Sequence, residues 1–492
     1  MWQQLFQLDE RGRKGLQAQL REALVKLILD RQLPLDVPLP SSRELAAALG
    51  VARNTVVLAY QHLVDEGYLL AHQRRGYFIN PAMLEGSVEA SARALQNAAP
   101  DAPDPAEFAP PPVVLDLSRQ RRIERPLDWK RYRFPFIYGQ VDPSLFPVND
   151  WREAVRQSLR VDAISRWSHD QVDVDDPLLI EQILTRVLPR RGVWARPEEL
   201  LVTIGAQNGL YLAARLLLDA RATVGIEDPC YVDARNIFQL FTTGRIAFPV
   251  GEQGIIVDER LADCNLLYVT PSHQCPTTAT MPIEARHELL EAASRHGVTI
   301  LEDDYESELN FVGKPTPALK SLDQEQRVVY VGSLSKSLAP GLRVGFMVAH
   351  PKLIEQARAL RRLMYRHTPA NNQRTIAHFI ALGHHDSTLR RISKSLKERW
   401  QVLDQALKSH APLSSTAPAF GGSSFWVELP PKVEARRLER LADQHSIIIN
   451  AGDAYFADRD GPRNYCRIGF SSIATEDIVP GIDKLASLMD EL

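Results

Sequence analysis

Cysteine is scarce in this chain: four among 492 residues, at Cys230, Cys264, Cys275 and Cys466. None belongs to a Cys-x-x-Cys pair, which argues against a disulfide framework and a thiolate zinc site and points to a reducing compartment. Long apolar runs are missing too. No stretch approaches membrane-spanning length, and no charged N-terminal region leads into a long apolar core, so the expected location is cytoplasmic. An excess of one charge is also lacking. The formal net charge of −3 argues against nucleic-acid binding over the whole surface but permits a local basic face. Internal repeats are absent. What the chain has is length, and 492 residues at 45% apolar and 24% charged imply a globular protein of two or three domains.

Leu16, Leu20, Leu24, Leu27 and Ile28 recur at helical spacing and predict an amphipathic helix over 15–30. Pro34, Pro38 and Pro40 then break the chain. Ser41-Ser42-Arg43-Glu44 reads as a capping box opening a helix that stops at Gly50. The next helix starts near Arg53, turns Val56, Tyr60 and Leu63 inward, and ends at Gly67. Two short helices joined by a tight Gly-containing turn form a helix-turn-helix. Leu69-Leu70 and Tyr77-Phe78-Ile79 flank Gln73-Arg74-Arg75-Gly76, a two-stranded wing with a basic tip. In such a unit the start of the second helix faces the major groove, so Arg53, Asn54 and Thr55 are candidate base readers. Ser42, Arg43, Arg74 and Arg75 are placed to hold phosphates. A helical protein–protein module would share much of this pattern, since residues 1–80 carry only ten Lys/Arg against eight Asp/Glu.

The stretch LPSSRELAAALGVARNTVVLAYQHLVDEGYL resembles a GntR-type winged helix over nearly its full length. The resemblance implies a double-stranded DNA operator as partner. Ala52 stands where the family usually has Ser; a missing N-cap hydroxyl costs ~0.5–2 kcal/mol of helix stability, and weaker DNA binding is expected.

Residues 81–125 read as an Ala/Pro-rich linker. Glu85 to Asn97 could form a loose helix, and Pro100, Pro103, Pro105, Pro110, Pro111 and Pro112 then make an extended spacer. From 126 to 492, short buried-strand patterns alternate with helical ones. Seven candidate strands, 201–204, 223–226, 246–250, 266–270, 298–302, 328–332 and 344–349, imply a largely parallel α/β sheet covered on both faces, with its site at the strands' carboxyl ends.

Ser333-Leu334-Ser335-Lys336-Ser337 lies between two of these strands, followed by Pro340-Gly341 and Arg343. A lysine on a crowded strand end beside an arginine suits condensation with an aldehyde. Hydroxyls and a guanidinium converging there suit a phosphate monoester, so the pair suggests pyridoxal phosphate (PLP). A surface lysine in a Ser-rich turn is the alternative. Gly205-Ala206-Gln207 opens a helix after the first strand, where backbone amides attract phosphate. Tyr231 could stack on a flat ring or serve as a rim tyrosine. Glu302-Asp303-Asp304-Tyr305 ends another strand; three adjacent carboxylates there argue against a core position, and no nearby His completes a metal set.

These pieces resemble fold type I aminotransferases in order, in the form seen in MocR/GabR-type bacterial regulators. The resemblance implies that Lys336 carries PLP and Asp303 pairs the pyridine nitrogen. By the same likeness, Tyr305 bonds the ring oxygen and Tyr231 stacks. Ser333, Arg343 and the amides of Gly205, Ala206 and Gln207 hold the phosphate, and Arg467 grips an effector carboxylate. It also implies a head-to-tail homodimer. Cys275 stands where aminotransferases have asparagine and Thr278 replaces their glycine, which puts efficient transamination in doubt. The expected function is a PLP-dependent transcriptional regulator that senses an amino compound, or PLP itself, by aldimine exchange. An active aminotransferase with an accessory DNA-binding domain is the alternative.

Overall fold

A computed structural model of the chain describes residues 6, 9, 14–84, 113–306, 308–312, 316–336, 338–410, 414–416 and 421–492. The chain divides into two compact units, Met1–Leu115 and Asp116–Leu492. The expected Ala-rich helix and the proline-dense spacer fall outside the described residues. Among the described residues no helix is long and apolar enough to cross a membrane.

In the first unit, helices α1 (Leu16–Leu29), α2 (Ser42–Leu49) and α3 (Arg53–Asp65) precede strands β1 (Leu69–His72) and β2 (Gly76–Ile79). The capping box forms in full: Ser41 N–H donates to Glu44 Oε2 at 2.9 Å, and Glu44 N–H to Ser41 Oγ at 3.3 Å. Gly50 ends α2 at φ +67°, a left-handed conformation that favours glycine. The helical spacing read in the sequence converges Leu20, Leu24, Leu45, Val56, Tyr60 and Leu63 on one core. Tyr60 donates its hydroxyl to the Pro40 carbonyl at 2.9 Å, satisfying the polar end of a fully buried ring. The wing pairs antiparallel, with Leu69 opposite Ile79 and His72 opposite Gly76.

The second unit is built on strands β3 (Leu200–Thr203), β4 (Thr223–Asp228), β5 (Gly244–Gly251), β6 (Leu266–Val269), β7 (Thr299–Asp304), β8 (Val328–Ser333) and β9 (Gly345–Val348), in spatial order β3-β9-β8-β7-β6-β4-β5. All run parallel except β9, which is antiparallel to both neighbours. A two-residue strand, Gly254–Ile255, extends the sheet past β5. Two residues carry no period, so sequence pattern left that eighth strand unforeseen. The central strands are apolar on both sides because both faces are covered. Leu201, Leu301, Val331 and Met347 face one layer with Leu210 and Phe238. Val202, Phe346 and Val348 face the opposite layer with Ile376 and Ile380.

Helix α4 (Ala206–Leu217) follows β3, and α5 (Val232–Gln239) follows β4. Toward the C-terminus, a four-stranded antiparallel sheet has the spatial order Ser414–Thr416, β10 (Ser424–Glu428), β12 (Tyr465–Gly469), β11 (Asn450–Ala451). Helices α6 (His384–Ser409) and α7 (Thr475–Met489) cover it through Leu403, Leu407, Ile482 and Leu485, which meet Phe425, Val427, Cys466 and Ile468. Strand alternation then sends Arg467 to the opposite face, away from that apolar layer.

Candidate functional site

In the first unit, Arg53 and Asn54 are exposed at the start of α3 and Thr55 is half-buried. Arg53 Nε lies 3.5 Å from Ser42 Oγ, so candidate base readers and phosphate holders adjoin. Arg43, Arg74 and Arg75 are exposed, and Arg74 turns the wing tip at φ +62°. None of these arginines pairs with an acid among the described residues, which leaves their charge available to phosphates. Ala52 sits at the N-cap of α3 with no side-chain bond to the helix amides.

In the second unit, the sheet brings the remaining candidates to one edge. Six parallel strands end there and the antiparallel β9 begins there, so residues after β3, β4, β6, β7 and β8 meet those before β9. Gly205 and Gly345 make this approach possible: a Cβ on Gly345 would lie 2.7 Å from the Gly205 carbonyl carbon. Arg343, at φ +49°, turns its guanidinium onto Gly205 and donates to the Ile204 carbonyl at 3.3 Å. A Cβ on Gly205 would lie 2.8 Å from that guanidinium. Next to it, the first amides of α4, at Ala206 and Gln207, have no intrahelical acceptor. Ser333 Oγ accepts from the Ser335 amide at 3.3 Å. Ser335, by contrast, is buried and tied to both polar groups of the Val344 backbone.

Lys336 is half-buried three residues past β8, its Nζ 3.3 Å from the Tyr138 hydroxyl and 4.4 Å from that ring's centroid. Desolvation lowers its pKa to about 8; Arg125 and Arg467 push the same way, while Glu306 opposes them. The three adjacent carboxylates are all buried, which corrects the expectation that they lie outside the core. Strand alternation separates their tasks. Glu302 accepts the Leu319 and Lys320 amides at 2.9 Å, capping a helix start. Asp304 pairs with Arg191 at 2.8 Å and accepts from Tyr330 at 2.8 Å.

Asp304 Oδ1 has no partner, but Asp303 points to the other side of the strand, toward Tyr268 and Lys336. Asp303 Oδ2 accepts from Tyr268 at 3.0 Å, whereas its Oδ1 is buried without a partner. Burial raises its pKa to about 7, and nearby Lys336 pulls it back. The Tyr305 hydroxyl is likewise buried and unpartnered. Tyr231 packs with Tyr305, Cys275 and Trp426, its hydroxyl 3.0 Å from Asp233 Oδ2.

Arg467 is fully buried, yet no carboxylate pairs with it among the described residues. Its Nε donates to Ser424 Oγ at 2.8 Å, its Nη1 to Cys275 Sγ at 3.4 Å, and its Nη2 has no partner. Its Cζ lies 3.3 Å from the centroid of the Tyr138 ring. Burial pushes the Cys275 thiol up to about 11, so it meets Arg467 as a neutral group. Tyr138, Tyr268 and Arg125 escaped the sequence reading. None belongs to a local motif; a strand-end tyrosine before Pro271 was the one faint signal, for Tyr268. Among the described residues no group of three or more His, Cys, Asp or Glu is arranged to hold a metal ion.

Residues 139–485 match the family model "Aminotransferase class I and II", and residues 16–79 match "Bacterial regulatory proteins, gntR family". The solved α-aminoadipate aminotransferase LysN of Thermus thermophilus, complexed with N-(5'-phosphopyridoxyl)-L-leucine, is similar over 72% of this chain and 92% of its own, at 30% identity and TM-score 0.66. Pyrococcus horikoshii kynurenine aminotransferase covers 72% of this chain and 90% of its own, at 27% identity and TM-score 0.68. The class is therefore a fold type I aminotransferase domain behind a GntR-type DNA-binding domain. Relatives share the whole arrangement. The HTH-type transcriptional regulator TauR of Rhodobacter capsulatus is 40% identical over 98% of both chains, and the regulatory protein MocR of Rhizobium meliloti is 30% identical over 98% of this chain and 95% of its own. The chain belongs to the MocR-type family of HTH-type transcriptional regulators.

Proposed function

We propose that this regulator uses PLP at Lys336 to sense an amine that carries an anionic group, and passes its occupancy to the DNA-binding unit. The residues present fit the cofactor. Asp303 Oδ1 and the Tyr305 hydroxyl are buried polar atoms without partners, as a pyridine N–H and a ring oxygen would require. The space a Cβ would fill at Gly205 is bordered by Arg343, and the amides of Ala206 and Gln207 open beside it, as a phosphate would require. When bound, PLP supplies an aldehyde that condenses with primary amines and a ring that accepts electrons.

The chain's own groups divide the remaining work. Lys336, lowered to about 8, has a substantial neutral fraction near neutral pH and can attack a carbonyl or exchange with an incoming amine. Asp303 would hold a proton on the ring nitrogen, Tyr305 would donate to the ring oxygen, and Tyr231 would lie against the ring. Ser333 and Arg343 would grip the phosphate with the amides of Gly205, Ala206 and Gln207. The observation that carries the sensing role is Arg467: a fully buried guanidinium without an acid partner, separated from Lys336 by one tyrosine ring. Such a group is costly unless an anion completes it. Cys275, in place of the asparagine of aminotransferases, favours sensing over turnover.

A head-to-tail homodimer is part of the proposal. It would place two DNA readers on one assembly, raising operator affinity through effective concentration. The test titrates PLP-loaded protein with a panel of amines while following the cofactor's absorption band, then reduces it with borohydride and maps the modified peptide. A band that responds to amines and a label on Lys336 are expected. A label on another lysine, or multiple turnovers of amino and keto acid at about 1 per second or faster, would overturn the reading.

A further inference from the structure

The strongest unassigned feature near Lys336 comes from the start of the second unit. Residues 121–125 lie against the site and are fastened at several points. Arg121 donates to the Asp453 carbonyl at 3.0 Å and to the Phe456 carbonyl, and its own carbonyl accepts from Asn236 Nδ2 at 2.8 Å. Ile123 packs in the cluster of Tyr231, Tyr305, Cys275 and Tyr455. The Glu124 carbonyl accepts from Asn450 Nδ2 at 3.4 Å.

Arg125 is different. It is exposed and makes no ion pair or hydrogen bond among the described residues, while its Cζ sits 5.7 Å from the centroid of the Tyr138 ring. Lys336 and Arg467 approach the same ring. Gly139 then shows what lies between the cations. Its φ is +81°, and a Cβ placed on it would be 3.2 Å from Lys336 Nζ and 3.7 Å from both Nη atoms of Arg125. Two cations thus face one point that stays open because residue 139 has no side chain. Glu306, whose Oε1 accepts from Ser423 Oγ at 2.5 Å, is the carboxylate lining the adjoining cavity with Lys336 and Gly139. At the open point Glu306 is one acid near Lys336 and Arg125. On its outer side Arg125 borders a separate pocket with Glu124, Glu439 and Asp443 but pairs with none of them among the described residues. An unpaired guanidinium beside a second cation favours an anion.

We propose that Arg125 is a specificity-determining residue of the effector site: it binds an anionic group of the amine at the open point beside Gly139. This rests on the sensing role of Lys336 proposed above. Arg467 is fully buried against the Tyr138 ring while Arg125 is exposed, so Arg125 is the guanidinium that an arriving anion meets first from solvent. An effector with one anionic group shares it between Arg125 and Arg467; one with two gives each guanidinium its own.

The experiment uses full-length, PLP-loaded protein as wild type, Arg125→Gln and Arg125→Lys. Calorimetric titration compares 3-aminopropanoate, 3-aminopropanesulfonate and L-glutamate with propylamine, which has no anion. Arg125→Gln is expected to weaken the three anionic amines by roughly ten- to hundredfold, the loss of one charge-assisted contact, with Arg125→Lys intermediate. Propylamine should bind wild type and Arg125→Gln alike. A larger loss for L-glutamate than for 3-aminopropanoate would assign Arg125 a second anionic group of its own; equal losses would assign it a shared one. At an anionic-amine concentration that half-saturates wild type, the shift in operator affinity should be smaller in Arg125→Gln than in wild type. Equal calorimetric affinity of wild type and Arg125→Gln for every anionic amine overturns the inference, as does an equal loss of propylamine binding or no binding of any anionic amine to wild type. If calorimetry shows the Arg125-dependent preference while the absorption band of wild type ignores every amine, the sensing role at Lys336 fails and the anion site stands.

Discussion

Replacing Asp303 by Asn should stabilise the apoprotein and weaken the loaded protein, and the first effect can be sized. The carboxyl is buried at the end of β7, one oxygen bonded to Tyr268 and the other unpartnered, and burial raises its pKa from 3.8 to about 7. A raised acid pKa means the fold prefers the neutral form. The stability contributed by neutral Asp303 is therefore complete below 3.8 and is lost as pH rises through about 7. At about 1.4 kcal/mol per unit, ionised Asp303 costs the apoprotein on the order of 4 kcal/mol by pH 8. About two of those units lie above pH 5, so the advantage of Asp303→Asn over wild type should grow by about 3 kcal/mol between pH 5 and pH 8. Glu227 and Glu302, also raised to about 7, titrate in the same window but are common to both proteins. Urea unfolding of both apoproteins across that range, followed by tryptophan fluorescence, measures the difference. With PLP present the sign should reverse, because Asn cannot pair a protonated ring nitrogen as a carboxylate does. A stability gap that stays constant with pH, or an Asn variant that holds PLP as tightly as wild type, would refute the reasoning.

Arg467→Ala should raise the concentration of an anionic amine needed to shift the absorption band by tenfold or more, since a charge-assisted hydrogen bond contributes about 1.5–3 kcal/mol; propylamine should show no such change. Arg53→Ala should relax base preference among scrambled operators, whereas Arg74→Ala should mainly flatten the salt dependence of binding, which a gel-shift series over salt concentration separates. Ala52→Ser supplies the missing N-cap hydroxyl at α3 and should stabilise the DNA-binding unit by ~0.5–2 kcal/mol, read as a higher unfolding midpoint of that unit.

The local architecture was legible in the residues. Leucine spacing marked α1, the Ser41–Glu44 box marked α2, and the wing was bounded by its own apolar pairs. All seven strands β3 to β9 of the large sheet were visible as short apolar runs, because the central ones, covered on both faces, must be apolar throughout. The largely unburied β5 still carries Ile246, Phe248 and Val250 in alternation. Lys336, Asp303, Tyr305 and Arg343 could be singled out because each ends a strand or follows a forced turn. The two-residue strand at Gly254–Ile255 could not, having no period to detect.

Contacts between distant parts of the chain were settled only by packing. Sequence pattern treated Glu302, Asp303 and Asp304 as one acidic cluster. Pairing of β7 between β6 and β8 set Asp303 beside Tyr268 and Lys336, while Glu302 went to a helix start and Asp304 to Arg191. Tyr138 and Arg125 carry no local signature at all; they matter because the chain that precedes the sheet folds back over its carboxyl edge. By itself the sequence determined which segments become helix and strand and which chemical groups sit at their ends, since caps, turns and periodicity act over a few residues. The tertiary structure alone decided which of those groups share one dry space around the Tyr138 ring, because desolvation and charge pairing depend on neighbours in space that are remote along the chain.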